Sequence, residues 1–209
     1  MRNESTLRIN DEKKSDIVSK FIEENFYKLK TKNFSRITNK EQQIQGIDVI
    51  FDFNDENYVC DEKSAVSYIN KPLFTFAFEL SFLDRSGNLH LGWLLNGKNV
   101  NNSYLICWIN KAKTDNLTEV SDIQEVEIAL IKKEKIIQYL VEIGWNKDKL
   151  IKKSKRILIN NSEPLGNLNI NKCRFHYSQQ LVEKPVNVLI NRNVIISISE
   201  YSEIIKKSQ

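Results

Sequence analysis

The sequence predicts an α/β protein with a mixed, largely antiparallel central sheet flanked by helices, followed by a C-terminal α+β extension. Three observations carry that expectation. An amphipathic run, SDIVSKFIEENFYKLK from Ser15, precedes a long section dense in β-branched and aromatic residues between Gly46 and Asn110, and two lysine-rich runs of helical period follow at 132–159. A chain of 209 residues with 41% hydrophobic and 28% charged residues can bury a core and lacks the composition of a disordered segment. The net charge of +4 is uneven: residues 121–209 carry 15 Lys/Arg against 10 Asp/Glu, whereas residues 1–120 carry 16 against 17. An acidic partner is therefore expected to meet the C-terminal half.

Taken in order, residues 1–14 are polar and predict a flexible N-terminus. From Ser15, a Ser cap, Asp16 in the first turn and lysines at the end frame a helix. Its Ile17, Val18, Phe21, Ile22, Phe26 and Leu29 share one face at about 100° per residue. On that wheel Glu24 borders the apolar face and Glu23 points to water. GIDVIFDF (Gly46–Phe53), the turn NDEN and YVCDEK (Tyr58–Lys63) predict a hairpin, because Asn/Asp clusters bound two short β-prone runs. LFTFAFELSFLD and LHLGWLLN, joined by RSGN, and SYLICWIN after GKNVNN add three strands hydrophobic enough to be central. EVEIALI predicts one more. KKEKIIQYLVEIG and NKDKLIKKSKRILI then place apolar residues at helical spacing with lysines opposite, and Gly144 closes the first. CRFHYSQQL and PVNVLINRNVIISIS return to strand before a short polar tail. With no internal repeat and no low-complexity linker, the expected organisation is a core over 15–120 and a basic extension over 121–209 packed on it.

Several classes of function are excluded by what is missing. No apolar run reaches membrane-spanning length and MRNESTLRINDEKKSD has no apolar middle, so no membrane partner is expected and the location expected is cytoplasmic. Cys60, Cys107 and Cys173 are odd in number, far apart and without a CxxC pair, which predicts buried thiols. There is no GxxxxGK[ST], no GxGxxG after a strand and no GxSxG. His90 and His176, the only histidines, are far apart and read as structural or surface residues. Trp93, Trp108 and Trp145 read as packing residues.

Carboxylates and a lysine remain. On a strand, Asp61 and Lys63 point to one face while Cys60 and Glu62 point to the other. Asp48, on the partner strand of the hairpin, can approach Asp61. Two carboxylates on adjacent strands form an incomplete oxygen cage of the kind Mg²⁺ occupies with waters and a substrate phosphate. A lysine beside such a cage can orient or help deprotonate the attacking water.

At these residues the chain resembles the PD-(D/E)xK nuclease superfamily, with its restriction-endonuclease-like fold. The matching pieces are GID at Gly46–Asp48, DEK at Asp61–Lys63 after a short hairpin, and an acid-bearing first helix. The resemblance covers roughly residues 15–110. It implies Asp48 and Asp61 as metal ligands, the main-chain carbonyl of Glu62 as a third, Lys63 as the catalytic lysine and Glu24 as an accessory acid of the first helix. Mg²⁺ is the implied cofactor, with Mn²⁺ as a substitute. Ile47, not Pro, precedes Asp48, and the αβ crossover implied after Lys63 must fit into SAVSYINKPL or be displaced to the later helices. Glu79 is a further strand acid that either joins this site or pairs with a lysine in the sheet, and Glu24 is otherwise a helix-flank surface acid.

The lysine-rich helix supplies Lys149, Lys152, Lys153, Lys155 and Arg156, a face suited either to the phosphate backbone or to solubility alone. The function expected is thus a divalent-metal-dependent nuclease, an endonuclease or exonuclease acting on DNA in preference to RNA, with a homodimer left open. The other class of answer is a nuclease-like module that binds nucleic acid or a protein without cutting.

Overall fold

The helix expected from Ser15 begins earlier, at Glu4, in the computed structural model, which describes residues 4–160, 165–169 and 172–207. This helix, α1 (Glu4–Ile22), runs through a π-helical turn (Glu23–Tyr27) into α2 (Lys28–Lys30). There follow β1 (Lys32–Arg36), α3 (Lys40–Ile44), β2 (Val49–Phe53), β3 (Glu56–Ser64), β4 (Thr75–Leu83), β5 (Leu89–Leu91), β6 (Ser103–Ala112) and β7 (Ile123–Lys132). The chain continues with α4 (Lys133–Glu142), α5 (Lys147–Ile159), β8 (Asn167–Asn169), β9 (Cys173–Tyr177), β10 (Val186–Asn191), α6 (Arg192–Ile198) and β11 (Tyr201–Lys206). It is a mixed α/β protein whose sheets are largely antiparallel. The polar stretch before Ser15 is helical because it extends an amphipathic helix already anchored downstream, and Lys14 Nζ donates to the Asp115 carbonyl at 2.9 Å.

The described residues fall into two units. The first comprises those up to Leu73, Asn101–Lys132 and those from Ser199 on. Its six-stranded sheet has the order β1-β2-β3-β6-β7-β11, and among its pairings only β3 with β6 is parallel. The β2–β3 hairpin turns at Asn54 and Asp55, whose φ values of 49° and 61° are the left-handed pair a two-residue turn requires and Asn/Asp tolerate. One face of this sheet packs on α1: Val18, Phe21, Ile22 and Phe26 meet Val49, Cys60, Leu105, Cys107 and Ile128, all but inaccessible to solvent. The π-helical turn follows from that packing. Five residues separate Phe21 and Ile22 from Phe26 and Tyr27, one more than an α-helix uses to return to the same face, and the wider turn keeps all four buried.

The second unit comprises Phe74–Val100 and the described residues from Lys133 to Ile198. Its five-stranded sheet, β5-β4-β10-β9-β8, is wholly antiparallel in its described pairings. The α5 helix packs on β4 and β10 through Leu150, Ser154, Ile157 and Leu158. Trp93 packs against Phe78 and Trp145 against Phe175, with ring centroids 5.4 and 5.0 Å apart, as packing residues do.

The organisation differs from a cut at residue 120. The strands at 75–91, expected in the centre of the core sheet, belong to the second unit, while Ile123–Lys132 belongs to the first. The chain therefore leaves the first unit after β3 and returns at β6, so the parallel crossover contains a β-hairpin of the second unit instead of an αβ segment within SAVSYINKPL. Three strands were not expected, among them the short β8. β1 is a polar edge strand, and β11 is built from the tail. Conversely, Arg192–Ile198, read as strand from its isoleucines, is helix, begun where Asn191 accepts the Asn193 N–H at 2.9 Å. The three cysteines are free and buried, and no described helix is long and apolar enough to cross a membrane.

Candidate functional site

Strand alternation divides the DEK triplet as expected. Asp61 is only 4% exposed, on β3 and not on a solvated turn, and its Oδ1 lies 2.7 Å from Lys63 Nζ on the same face. The β2–β3 register Val49↔Cys60 brings Asp48, the residue before β2, alongside Asp61. Three main-chain hydrogen bonds hold Asp48 there. Its N–H donates to the Cys60 carbonyl at 2.9 Å, its carbonyl accepts from the Ile37 N–H at 2.8 Å, and its Oδ2 accepts from the Glu62 N–H at 2.7 Å. The Asp48 carboxylate thus takes a position on the hairpin ladder that a main-chain carbonyl would otherwise fill.

The charge of Asp61 acts on Asp48. Burial, and then the charge of Asp61, pushes Asp48 up from 3.8 to about 6, against the Glu62 N–H and the Lys63 ammonium, which pull it down. Tyr104 lies beside Asp61 in the parallel β3–β6 register. Its phenol is fully buried, and burial raises its pKa well above the ordinary value, with the Asp61 charge adding to the shift.

The opposite face of β3 carries a second polar arrangement that sequence reasoning missed. Glu62, with a side chain 6% exposed, accepts from Ser19 Oγ and from Arg36 Nη1, both at 2.8 Å. Arg36 on β1 also donates from Nε to Glu23 at 2.9 Å and from Nη2 to the Ser19 carbonyl at 3.2 Å. Glu23 in turn pairs with Lys28 at 2.8 Å, and these two cations hold its carboxyl below the ordinary range. One signal was available. A carboxylate on the apolar side of a strand, between Cys60 and Ser64, needs a buried cation.

The remaining expected residues divide between the two units. Glu24 is exposed, and it is Glu23, expected to face water, that turns toward the sheet, because the π-helical turn shifts the frame that the wheel assumed. Glu79 is half-buried on β4, in the sheet of the second unit. Lys149, Lys152, Lys155 and Arg156 are exposed on α5, also in the second unit; Lys153 is half-buried, and Lys149 Nζ donates to the Gly144 carbonyl at the end of α4 at 2.8 Å. His90 pairs with Asp84 at 2.8 Å and His176 is exposed, both in the second unit.

Among the described residues no three His, Cys, Asp or Glu side chains form a group that could hold a metal ion. Two side-chain carboxylates meet here, Asp48 and Asp61. As hard oxygen ligands whose charge Lys63 offsets only in part, they could hold Mg²⁺ or Mn²⁺, cations that keep several waters, and they are ill suited to a soft metal. Comparison with protein-family models, with curated proteins and with solved structures finds no match to this chain.

Proposed function

We propose that this protein is a divalent-metal-dependent nuclease with a restriction-endonuclease-like core, hydrolysing phosphodiester bonds of DNA in preference to RNA. The observation that supports it best is the pairing of Asp48 with Asp61 across a hairpin, with Lys63 2.7 Å from Asp61 on the same face. Asp48 and Asp61 would hold the cation, and the Glu62 main-chain carbonyl is the further ligand implied by the resemblance. A bound Mg²⁺ or Mn²⁺ supplies charge neutralisation at the scissile phosphate and a more acidic water. The chain's own groups do the rest. The Glu62 N–H fixes one oxygen of Asp48, and the other would be the one to serve a cation. Lys63, 30% exposed, reaches solvent and orients the water that attacks phosphorus. The attacking water gives up a proton to solvent as its new P–O bond forms and the bond to the leaving sugar oxygen breaks, that oxygen takes a proton from solvent, and no covalent enzyme intermediate forms. In the second unit, the exposed Lys152, Lys155 and Arg156 of α5 present a basic face suited to a phosphate backbone.

A second reading, a nuclease-like module that binds without cutting, draws on the presence of only two side-chain ligands. The deciding experiment incubates the protein with supercoiled, linear and single-stranded DNA and with RNA, with and without Mn²⁺, beside Asp61→Ala. Mn²⁺-dependent cleavage lost in Asp61→Ala is the expected result. Retained nucleic-acid binding with no cleavage of any substrate puts the second reading first.

A further inference from the structure

We infer that Arg36 is a positioning residue for Asp48 and acts on it through Glu62. The inference deepens the metal-site reading above and rests on it for its functional consequence. Arg36 makes two connections to the site. Through its strand, the next residue, Ile37, donates its N–H to the Asp48 carbonyl at 2.8 Å. Through its guanidinium, it binds the Glu62 carboxylate from Nη1 at 2.8 Å and from Nη2 at 3.4 Å, while Nε reaches Glu23 at 2.9 Å.

Glu62 transmits the second connection across the sheet. Its side chain is held on the α1 side by Arg36 and Ser19, and its N–H, at the same α-carbon, donates to Asp48 Oδ2 at 2.7 Å. A strand residue whose side chain is pinned has little freedom to rotate its peptide plane. The Asp48 carboxylate therefore receives a fixed donor from a residue whose charge never faces it. A lysine could not replace Arg36, because a single ammonium lacks the planar fork that spans Glu23, Glu62 and the Ser19 carbonyl together. The arrangement resembles in its physics the outer partners that orient metal ligands, whose removal typically weakens metal affinity about 10- to 100-fold.

The test compares wild type with Arg36→Met/Glu62→Gln, which removes both charges and leaves no buried carboxylate unpaired, and with Arg36→Lys. Three quantities are read: exchange of the Glu62 amide proton, Mn²⁺ affinity from the free Mn²⁺ signal, and the separate kcat and KM on DNA. In the double variant the main-chain amide at position 62 is expected to exchange about tenfold faster or more while the Phe51 and Tyr58 amides are unchanged. Mn²⁺ affinity is expected to fall about 10- to 100-fold, and kcat to fall with KM for DNA unmoved. Arg36→Lys is expected to keep the thermal midpoint near wild type yet share the fast Glu62 exchange, and it carries the test if the double variant does not fold. A folded variant with wild-type Glu62 protection and wild-type Mn²⁺ affinity overturns the inference. If wild-type protein takes up no Mn²⁺, the metal reading falls by itself, and the Glu62 exchange rate alone then decides whether Arg36 holds Asp48.

Discussion

Asp61 Oδ1 and Lys63 Nζ lie 2.7 Å apart on one face of β3, the carboxylate side chain 5% exposed and the ammonium side chain 30% exposed. A buried acid beside a second acid is thereby given one cation that can still reach solvent, and the different positions of the two groups assign them different tasks.

Lys63→Met keeps the stem and deletes the ammonium. Cleavage is expected to drop by a factor on the order of 10² or more, with Mn²⁺ binding retained. Asp61→Ala is expected to lose both. Without Lys63 the two carboxylates face each other uncompensated, so the thermal midpoint of Lys63→Met should fall in metal-free buffer and recover with Mn²⁺. Cleavage by Lys63→Met at the wild-type rate, in a preparation free of contaminating nuclease, would return the triplet to ordinary structural charge.

Asp48 gives the molecule a pH dependence of definite sign. Its folded pKa of about 6 lies above the ordinary 3.8, so the folded protein holds this proton more tightly than the unfolded chain does. The stabilisation is whole below about pH 4 and is lost as pH rises through about 6, an effect on the order of 2–3 kcal/mol. Asp48→Asn is expected to flatten denaturation free energies between those limits and to be the more stable protein at pH 7.5 without metal. In wild type, Mn²⁺ competes with the proton, so its affinity should weaken as pH falls below about 6. Parallel pH profiles for the two proteins would remove Asp48 from this role.

The exposed charge of α5 can be separated from its packing. Lys152→Gln, Lys155→Gln and Arg156→Gln together leave Leu150, Ser154, Ile157 and Leu158 untouched. If these residues contact phosphates, the slope of log K against log salt for DNA should shrink by about one for each contact removed. An unchanged slope assigns them to solubility.

Gly92 offers a check on the second unit that is independent of function. A Cβ at this position would lie 2.5 Å from the main-chain carbon and oxygen of Glu79, and the loop is tied to β4 by Gly92 N–H to the Leu80 carbonyl at 2.8 Å and Leu94 N–H to the Glu79 carbonyl at 3.2 Å. Neither strand backbone can give way cheaply. Gly92→Ala is expected to cost about 1–3 kcal/mol, read by thermal unfolding and by faster proteolysis within the second unit.

Much of the site was legible because it is local. The hairpin announces itself through Asn54 and Asp55, which accept left-handed φ, and a period of two then assigns Asp61 and Lys63 to one face and Glu62 to the other without any long-range information. Asp48 meets Asp61 because a two-residue turn leaves one register available. Arg36 was illegible for the converse reason. It sits on a polar edge strand with no apolar alternation, and its partners Glu23 and Glu62 are 13 and 26 residues away in sequence.

By itself, then, the sequence determined the class of protein, the β2–β3 hairpin, the lysine-rich helices, the buried thiols and the facing of the acid pair, all consequences of short-range periodicity and turn chemistry. Only the tertiary structure decided which strands share a sheet. The runs at 75–83 and 103–112 are equally apolar, yet one pairs with β10 in the second unit and the other with β3 in the first, a choice made by partners far along the chain. It also decided that the tail closes the first sheet as β11, and that a π-helical turn presents Glu23 instead of Glu24. Each of these depends on where a hydrophobic face can be covered, and that is a property of the packed whole, which a local pattern does not contain.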